Sequence, residues 1–190
     1  MNKIGDLAWR EQLDTASDAR LHERTRCLSF ISPAALEIDP ALCNDVVLSI
    51  AEEELRRMNR STAPGDKLGC IMRSCQIIMS VLNLSRSTDG SGPAKRPGAD
   101  DFLPMFILVV LRANVPHLHT NLEYIQAYHN PIALMSKAGY CCVNLQSASE
   151  FILSLDATSL SMDADEFNAC LAQGERALAE ERAELMAGTE

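Results

Sequence analysis

The sequence predicts an all-α protein, a layered bundle of helices, and three observations support that prediction. Apolar residues recur every three or four positions along most of the 190 residues, as they do on one face of a helix. Turn-forming and capping residues separate these stretches, and none of the stretches has the alternation typical of a half-buried strand. Hydrophobic residues make up 47% of the chain, which suffices for one sizeable core.

Three helices are predicted in the first half of the chain. Residues 5–27 carry apolar side chains among charges and indicate a moderately amphipathic helix or a pair of helices. Asp39 and Pro40 predict the start of the next helix, because Asp caps free N–H groups and Pro suits the first helical position. Pro64 opens a third helix, whose wide apolar face is formed by Leu68, Ile71, Met72, Cys75, Ile78, Met79 and Leu82.

The helix predicted over about 101–113 is apolar nearly all round, which is typical of a helix at the centre of a core. It follows a loop, residues 85–99, that is rich in Ser, Gly and Pro. The next helix starts near 117–120 and ends near residue 128. Thr120 and Glu123 have the spacing of a capping box, and a start before Thr120 is the alternative.

Two further helices are predicted toward the C-terminus. After a short helical turn that begins at 130–131, apolar residues recur at helical spacing over about 140–154. Asp163 and Glu166 have the spacing of a cap and its reciprocal partner, and they begin a last helix that Gly174 is expected to interrupt.

The chain is acidic, with a net charge of −9, and the excess is concentrated in residues 150–190, which hold ten acids against two Arg. This balance argues against a protein that binds nucleic acid or an anionic membrane through bulk charge. No run of apolar residues reaches the length of a membrane span, and the first residues lack a signal-peptide core. We therefore expect a soluble, cytoplasmic protein with no direct membrane insertion.

The chain has seven cysteines, an odd number with no CxxC spacing, and several lie within apolar helical patterns. Such a set is typical of buried free thiols in a reducing cytosol. Cys141 and Cys142 are adjacent and point in different directions on a helix, so we interpret them as core residues rather than as a reactive pair.

Candidates for catalysis or metal binding are few. His117 and His119 are two residues apart and diverge on a helix, so surface or capping roles are favoured over a zinc site. Phosphate loops, GxSxG and HExxH do not occur. A hydrolase or metalloenzyme is the least favoured class, and we expect neither a metal nor a cofactor. Asp66 and Lys67, near a helix start, are interpreted as a charge pair within or between helices.

Two adjacent acids, Asp100 and Asp101, stand at the start of the core helix, directly after the loop. Carboxylates in that position can cap free N–H groups and are favoured by the positive end of the helix dipole. On periodicity alone, capping is the favoured interpretation. The alternative is that one of the two acids has a functional role.

Four motifs that follow one another in the chain carry a resemblance to a known family: APGDKLGCIMRSCQIIMSVL (63–82), GADDFLPMFILVVLRANVPHLHTNLEYI (98–125), GYCCVNLQSASEFI (139–152) and LDATSLSMDADEF (155–167). The chain resembles the vacuolar protein sorting nine (Vps-nine) domain over about residues 35–170. Members of that family are guanine nucleotide exchange factors for early-endosomal Rab GTPases of the Rab-five type.

The resemblance implies a layered helical bundle, which agrees with the helical periodicity of the chain. It also implies three segments: an N-terminal helical support over 1–34, the Vps-nine domain over 35–170, and an acidic C-terminal helix or tail over 171–190. The implied partner is a GTPase of the Rab-five type, bound most tightly when it is free of nucleotide. The implied protein is a regulator without covalent chemistry, and it is recruited to endosomal membranes by partners or by domains outside this chain.

The Asp-Asp/Glu-Phe-x-Pro motif of the family maps onto Asp100, Asp101 and Pro104. The resemblance implies that Asp100 is an acidic finger, which enters the nucleotide site of the GTPase. There it would pair with the phosphate-loop lysine and repel the β-phosphate, so that magnesium is lost and GDP is released. Asp101 and Pro104 would contact the GTPase.

The Gly-Tyr motif of the family maps onto Tyr140, Val143 and Asn144, which the resemblance places in an apolar groove that grips the switch regions of the GTPase. Val143 stands where Thr is usual, and Cys141 and Cys142 replace two bulky aromatic residues. Val keeps the shape of Thr but removes a hydroxyl group that could bond to the GTPase.

Two alternatives remain beside an active exchange factor. The first is a Rab-binding module with weak or no exchange activity. Val143, in place of the usual Thr, is the reason for considering it. Gly65, where Arg is common in the family, is a further departure that bears on exchange strength. The second is a helical protein-interaction scaffold, in which Asp100 and Asp101 are only helix caps.

Overall fold

The computed structural model of the protein describes residues 7, 9–10, 13–88, 99–130, 132 and 135–187. Seven α-helices and no strand occur among these residues, which confirms the all-α prediction. The helices are α1 (Thr15–Cys27), α2 (Asp45–Arg57), α3 (Pro64–Thr88), α4 (Ala99–Ala113), α5 (Leu118–Tyr128), α6 (Lys137–Ser154) and α7 (Ala164–Ala187). Short 3-10 turns occur at Ala34–Leu36, Pro40–Leu42, Met58–Arg60 and Ala157–Ser159.

Helix α4 lies at the centre of the bundle, as its apolar sequence predicts. It packs against α2, α3 and α6, and its side chains from 105 to 111 are all buried. Helices α1 and α7 pack against each other, and α1 also contacts α5 and α6. The core is continuous across these layers, so α4 and α6 hold a fixed position relative to each other.

The predicted loop at 85–99 differs from the structure at its first four residues and at Ala99, which begins α4. Helix α3 continues to Thr88, beyond the last residue of its apolar periodicity. The periodicity therefore did not indicate where the helix ends. Residues 89–98 lie outside the described part of the chain, as do residues 131, 133 and 134 in the region of the turn predicted to begin at 130–131.

The prediction that Asp39 starts the second long helix is wrong. Asp39 does accept a hydrogen bond from the Ala41 N–H group at 2.8 Å, but it caps only the short turn Pro40–Leu42. The true cap of α2 is Asn44, whose side-chain oxygen accepts hydrogen bonds from Val46 and Val47. Each cap satisfies N–H groups that a helix start leaves without a partner.

Thr120 does not begin a capping box, because α5 starts two residues earlier. Its hydroxyl group donates to Asp18 Oδ2 at 2.6 Å, and its main-chain N–H group donates to Asp18 Oδ1 at 3.0 Å. An acid from α1, 102 positions away, thus satisfies a free N–H group at the start of α5. Asp18 and Thr120 are both buried, so this bond joins the N-terminal helix firmly to the bundle.

Gly174 does not interrupt the last helix, which is continuous over Ala164–Ala187. A Cβ atom at Gly174 would lie 3.0 Å from the Cα and the carbonyl oxygen of Cys27. The glycine therefore allows α7 to cross α1 at close range. The proposed boundary at 170/171 stays a prediction, and α7 runs across it.

Among the described residues, no single helix combines the length and the apolar character needed to cross a bilayer. Only α4 and α5 taken together meet that criterion, and they are bent by 116° at the break between them. Both helices supply buried residues to the core of the bundle.

Candidate functional site

The first turns of α4 and α6 lie at the same end of the bundle. The rings of Phe102 and Tyr140 are 6.4 Å apart between centroids, in a tilted arrangement. Phe102 is 1% exposed and Tyr140 is 51% exposed, so the first anchors the contact and the second faces outward. The two sequence motifs that were predicted to act together are therefore neighbours in the fold.

Asp100 is exposed in the first turn of α4, and Asp101 beside it is half-buried. Pro104, also half-buried, is the sixth residue of the helix. Proline has no main-chain N–H group, so it cannot donate the helical hydrogen bond to the carbonyl group of Asp100, four residues earlier. The turn that carries Asp100 is thereby tied less tightly to the rest of α4.

On α6, Tyr140, Val143 and Asn144 share one side of the helix, since residues three and four apart are neighbours on a helix surface. We call this side the α6 face. Val143 is 61% exposed, so its side chain is as accessible as that of Tyr140. The Asn144 Nδ2 group donates to the carbonyl oxygen of Tyr140 at 2.7 Å, which leaves the amide oxygen as an acceptor for a partner.

Cys141 and Cys142 point into the core beside Cys75 of α3, and all three thiols are buried and free. A hydrogen bond with Cys141, together with burial, raises the pKa of Cys75. Burial raises the pKa of Cys142 to about 11. The same hydrogen bond, from the Cys75 thiol, lowers the pKa of Cys141. Cys141 is 1% exposed and Cys142 is 4% exposed, which confirms that both are core residues.

A cavity of about 340 Å³ opens beside Pro104. Helix α4 contributes Leu103, Pro104 and Ile107 to its wall, α6 contributes Phe151, and the remaining lining comes from residues 35–37 and 158–161. Pro104 therefore lines a depression between α4 and Phe151 of α6 that has both apolar and polar side chains in its wall.

Lys67 forms a buried polar site that the sequence reasoning missed. The side chain is 3% exposed, and its Nζ group donates to Asn121 Oδ1 at 2.7 Å and to the Met58 carbonyl oxygen at 3.1 Å. It also lies 4.2 Å from the centroid of the Trp9 ring, within the range of a cation–π contact. Burial lowers the pKa of Lys67 to about 8.

The predicted pairing of Lys67 with Asp66 is wrong, because the lysine points into the bundle. A signal for this was present in the sequence. Lys67 precedes Ile71 and Cys75 by four and eight residues, so it falls on the apolar face of α3. Together with Asp18, Thr120, Asn121 and Trp9, it forms what we call the buried clamp, which joins the N-terminal segment to α3 and α5.

His117 and His119 both face acids of the N-terminal segment. His117 Nδ1 lies 3.1 Å from Asp18 Oδ2, and His119 Nε2 lies 3.8 Å from Asp14 Oδ2. Within the described part of the chain, no group of three or more His, Cys, Asp or Glu side chains could hold a metal ion. The structure thus gives His117 and His119 an interhelical role.

Comparison with known proteins places this arrangement in a family. The model of the vacuolar sorting protein 9 (VPS9) domain matches residues 48–157, more than half of the chain. The chain belongs to the VPS9 domain family. The matched VPS9 stretch contains every residue of the α6 face as well as Asp100, Asp101 and Pro104, whereas Trp9, Asp18 and Gly174 lie outside it.

Several relatives of this VPS9 domain are known by name. It is 41% identical over 155 residues to the vacuolar protein sorting-associated protein 9A of Oryza sativa subsp. japonica, covering 81% of this chain and 32% of that protein. It is 39% identical to the protein of the same name from Arabidopsis thaliana, covering 81% and 29%. It is 34% identical to the Rab5 GDP/GTP exchange factor of Mus musculus, covering 82% and 31%. The chain thus spans less than a third of the length of each of these relatives.

Proposed function

We propose that this VPS9 domain is a guanine nucleotide exchange factor for a Rab GTPase of the Rab-five type. One observation carries the proposal: the exposed Asp100 lies in the first turn of α4, and Phe102 of that turn contacts the exposed Tyr140 of α6. The name of the mouse relative, Rab5 GDP/GTP exchange factor, supports the same activity. The chain acts on the GTPase without making or breaking a covalent bond.

In this proposal Asp100 is the acidic finger. A GTPase holds its nucleotide through a phosphate-loop lysine and a magnesium ion. The Asp100 carboxylate pairs with that lysine, repels the β-phosphate and removes the electrostatic basis for magnesium binding. Since the pairing exists only in the complex, it stabilises the nucleotide-free GTPase and speeds the release of GDP.

The α6 face supplies the docking contacts. Tyr140 and Val143 pack against apolar side chains of the switch regions, and the amide oxygen of Asn144 accepts a hydrogen bond. Pro104 contributes an apolar contact from α4, and Asp101 lies at the edge of the same contact. We propose that this exchange takes place at endosomal membranes, to which a partner protein or another domain recruits the chain.

A second candidate is a Rab-binding module with weak exchange activity. It is favoured by Val143, which is 61% exposed on the α6 face and has no hydroxyl group to offer. The two candidates share a docking surface and differ in the rate of nucleotide release.

The test is GDP release from a panel of purified Rab GTPases loaded with a fluorescent nucleotide. We expect the chain to accelerate release from a Rab-five-type GTPase and to bind its nucleotide-free form more tightly than its GDP-bound form. Equal affinity for both forms would contradict an exchange mechanism, because an equal binder shifts no equilibrium. Tight binding of the nucleotide-free form with little release would favour the second candidate.

A further inference from the structure

Two strongly exposed apolar side chains lie directly before α6. Ile132 is 77% exposed and Met135 is 88% exposed. Tyr140 and Val143 follow them within the next eight residues. Single exposed apolar side chains are common, but a contiguous group of them marks an interaction surface.

Hydrogen bonds hold this group in place. The Ile132 N–H group donates to Asn130 Oδ1 at 2.9 Å, and the Met135 N–H group donates to the Ile132 carbonyl oxygen at 3.2 Å. Ser136 caps α6, since its hydroxyl oxygen accepts from Ala138 at 3.3 Å. Ile132 and Met135 are therefore hydrogen-bonded to each other, and Met135 directly precedes the residue that caps α6.

The α6 face alone is too small for a stable complex. A half-exposed Tyr and a Val offer roughly 200 Å² between them, whereas a typical interface buries about 800 Å² on each partner. Cys141 and Cys142 stand inside the core and add nothing to this surface. The nearest apolar surface along the chain is that of Ile132 and Met135, which we call the apolar rim.

We propose that the apolar rim extends the docking surface for the GTPase and determines which Rab GTPase is bound. This inference rests on the proposed function, since it assigns the rim to the same partner. The occupant is the apolar part of a switch region, seated on the α6 face and reaching over the turn. A Met side chain adapts its shape to its partner, whereas the branched Ile is stiffer. The pair therefore discriminates between switch regions that differ by single apolar side chains.

The experiment compares Ile132→Ser/Met135→Ser with the unchanged chain in GDP release across the Rab panel, at varied concentrations of the chain. We expect the concentration for half-maximal release from the preferred GTPase to rise about tenfold, as for the loss of apolar anchors at an interface. The maximal rate stays unchanged, because Asp100 is intact. The difference in half-maximal concentration between the preferred GTPase and the others is expected to become smaller at the same time. Met135→Leu, which keeps the apolar surface, restores at least part of the affinity.

The matched control is Leu185→Ser/Met186→Ser, which alters a pair that is 68% and 78% exposed near the end of α7. That end lies away from the rim, because Arg182 pairs with Glu23 of α1, and the neighbouring Arg24 donates to the carbonyl oxygen of Leu155 after α6. The control is expected to leave release unchanged. Melting curves of both double variants are expected to match that of the unchanged chain, since all four side chains are largely exposed.

The two proposals fail in different ways. In one outcome, the unchanged chain accelerates release and Asp100→Asn abolishes that acceleration, so the proposed function stands. If the rim variant then has an unchanged half-maximal concentration for every GTPase, the rim proposal alone is wrong. If the unchanged chain accelerates release from no GTPase, both are wrong. Rim-dependent sedimentation with phosphatidylcholine vesicles containing phosphatidylserine, with unchanged release, would assign the rim to a membrane instead.

Discussion

The buried clamp and the α4–α6 end of the molecule are opposites in polarity. In the clamp, charged and polar groups such as Lys67 and Asp18 lie inside the protein and bond to other parts of the chain. At the α4–α6 end, Tyr140, Val143 and the carboxylate of Asp100 lie outside. A buried polar group needs a hydrogen-bond partner inside the protein. An exposed group of apolar side chains is instead removed from water when a partner protein covers it.

This contrast separates structural from functional residues without reference to a sequence family. The clamp stabilises the bundle, because removing one member leaves a buried partner without its hydrogen bond. The exposed side chains at the α4–α6 end contribute little to stability, so substitutions of those side chains act on binding. Variants in the two regions are therefore expected to differ in kind: loss of stability in one, loss of activity in the other.

The largest expected effect distinguishes Asp100 from its neighbour Asp101. We expect Asp100→Ala nearly to abolish stimulated GDP release at saturating chain and barely to change the melting temperature, because its lysine partner is present only in the complex. Asp101→Ala is expected to retain substantial activity and to destabilise the protein by about 0.5–2 kcal/mol, as for the loss of a helix cap.

The measurements are GDP release and a melting curve for each variant. If Asp100→Ala releases GDP as fast as the unchanged chain, the acidic finger is wrongly assigned. Both acids would then be helix caps, as periodicity alone suggests, and the α4–α6 end would resemble the clamp in its role.

The clamp can be tested through the pH dependence of stability. Burial lowers the pKa of Lys67 from 10.5 to about 8, so between these values the unfolded chain binds more protons at this residue than the folded chain does. The free energy of unfolding therefore gains a contribution as the pH rises through this window. From pH 7 to pH 9 we expect the unchanged chain to gain about 1 kcal/mol relative to Lys67→Met.

Chemical denaturation of both proteins at each pH measures this difference, and the comparison cancels the titration of every other group. If the unchanged chain instead loses free energy of unfolding relative to Lys67→Met as the pH rises, the buried environment is contradicted. That result would indicate that a carboxylate holds the lysine in its charged form, as the original pairing with Asp66 would require.

Periodicity was sufficient for the helices but not for the clamp. The all-apolar run from 105 to 111 predicts a central helix by itself, because only a core can surround such a helix. The bonds between Asp18 and Thr120 join positions 102 residues apart, and no local pattern encodes that pairing. Local capping rules accordingly gave Thr120 the wrong partner.

The candidate site was predicted in part. The motifs identified the residues of α4 and α6, and the buried Phe102 accounts for their proximity through its contact with the Tyr140 ring. The exposure of Ile132 and Met135 had no signal, since apolar residues in a short turn are as compatible with the core as with the surface. The burial of Lys67, in contrast, was indicated by its position on the apolar face of α3.

Tyr140→Ala is expected to change stability only slightly, and it tests whether Tyr140 is a binding residue or a core residue. Truncation of an aromatic residue in a core costs about 3–5 kcal/mol. Tyr140 is 51% exposed and touches Phe102 at only one edge of the core, so we expect less than about 1 kcal/mol of destabilisation. Association with the GTPase is expected to weaken at least tenfold, as for an interface anchor. Binding by surface plasmon resonance and a melting curve measure the two effects. A large drop in melting temperature, with binding restored at low temperature, would identify Tyr140 as a core residue and remove the α6 face as a docking surface.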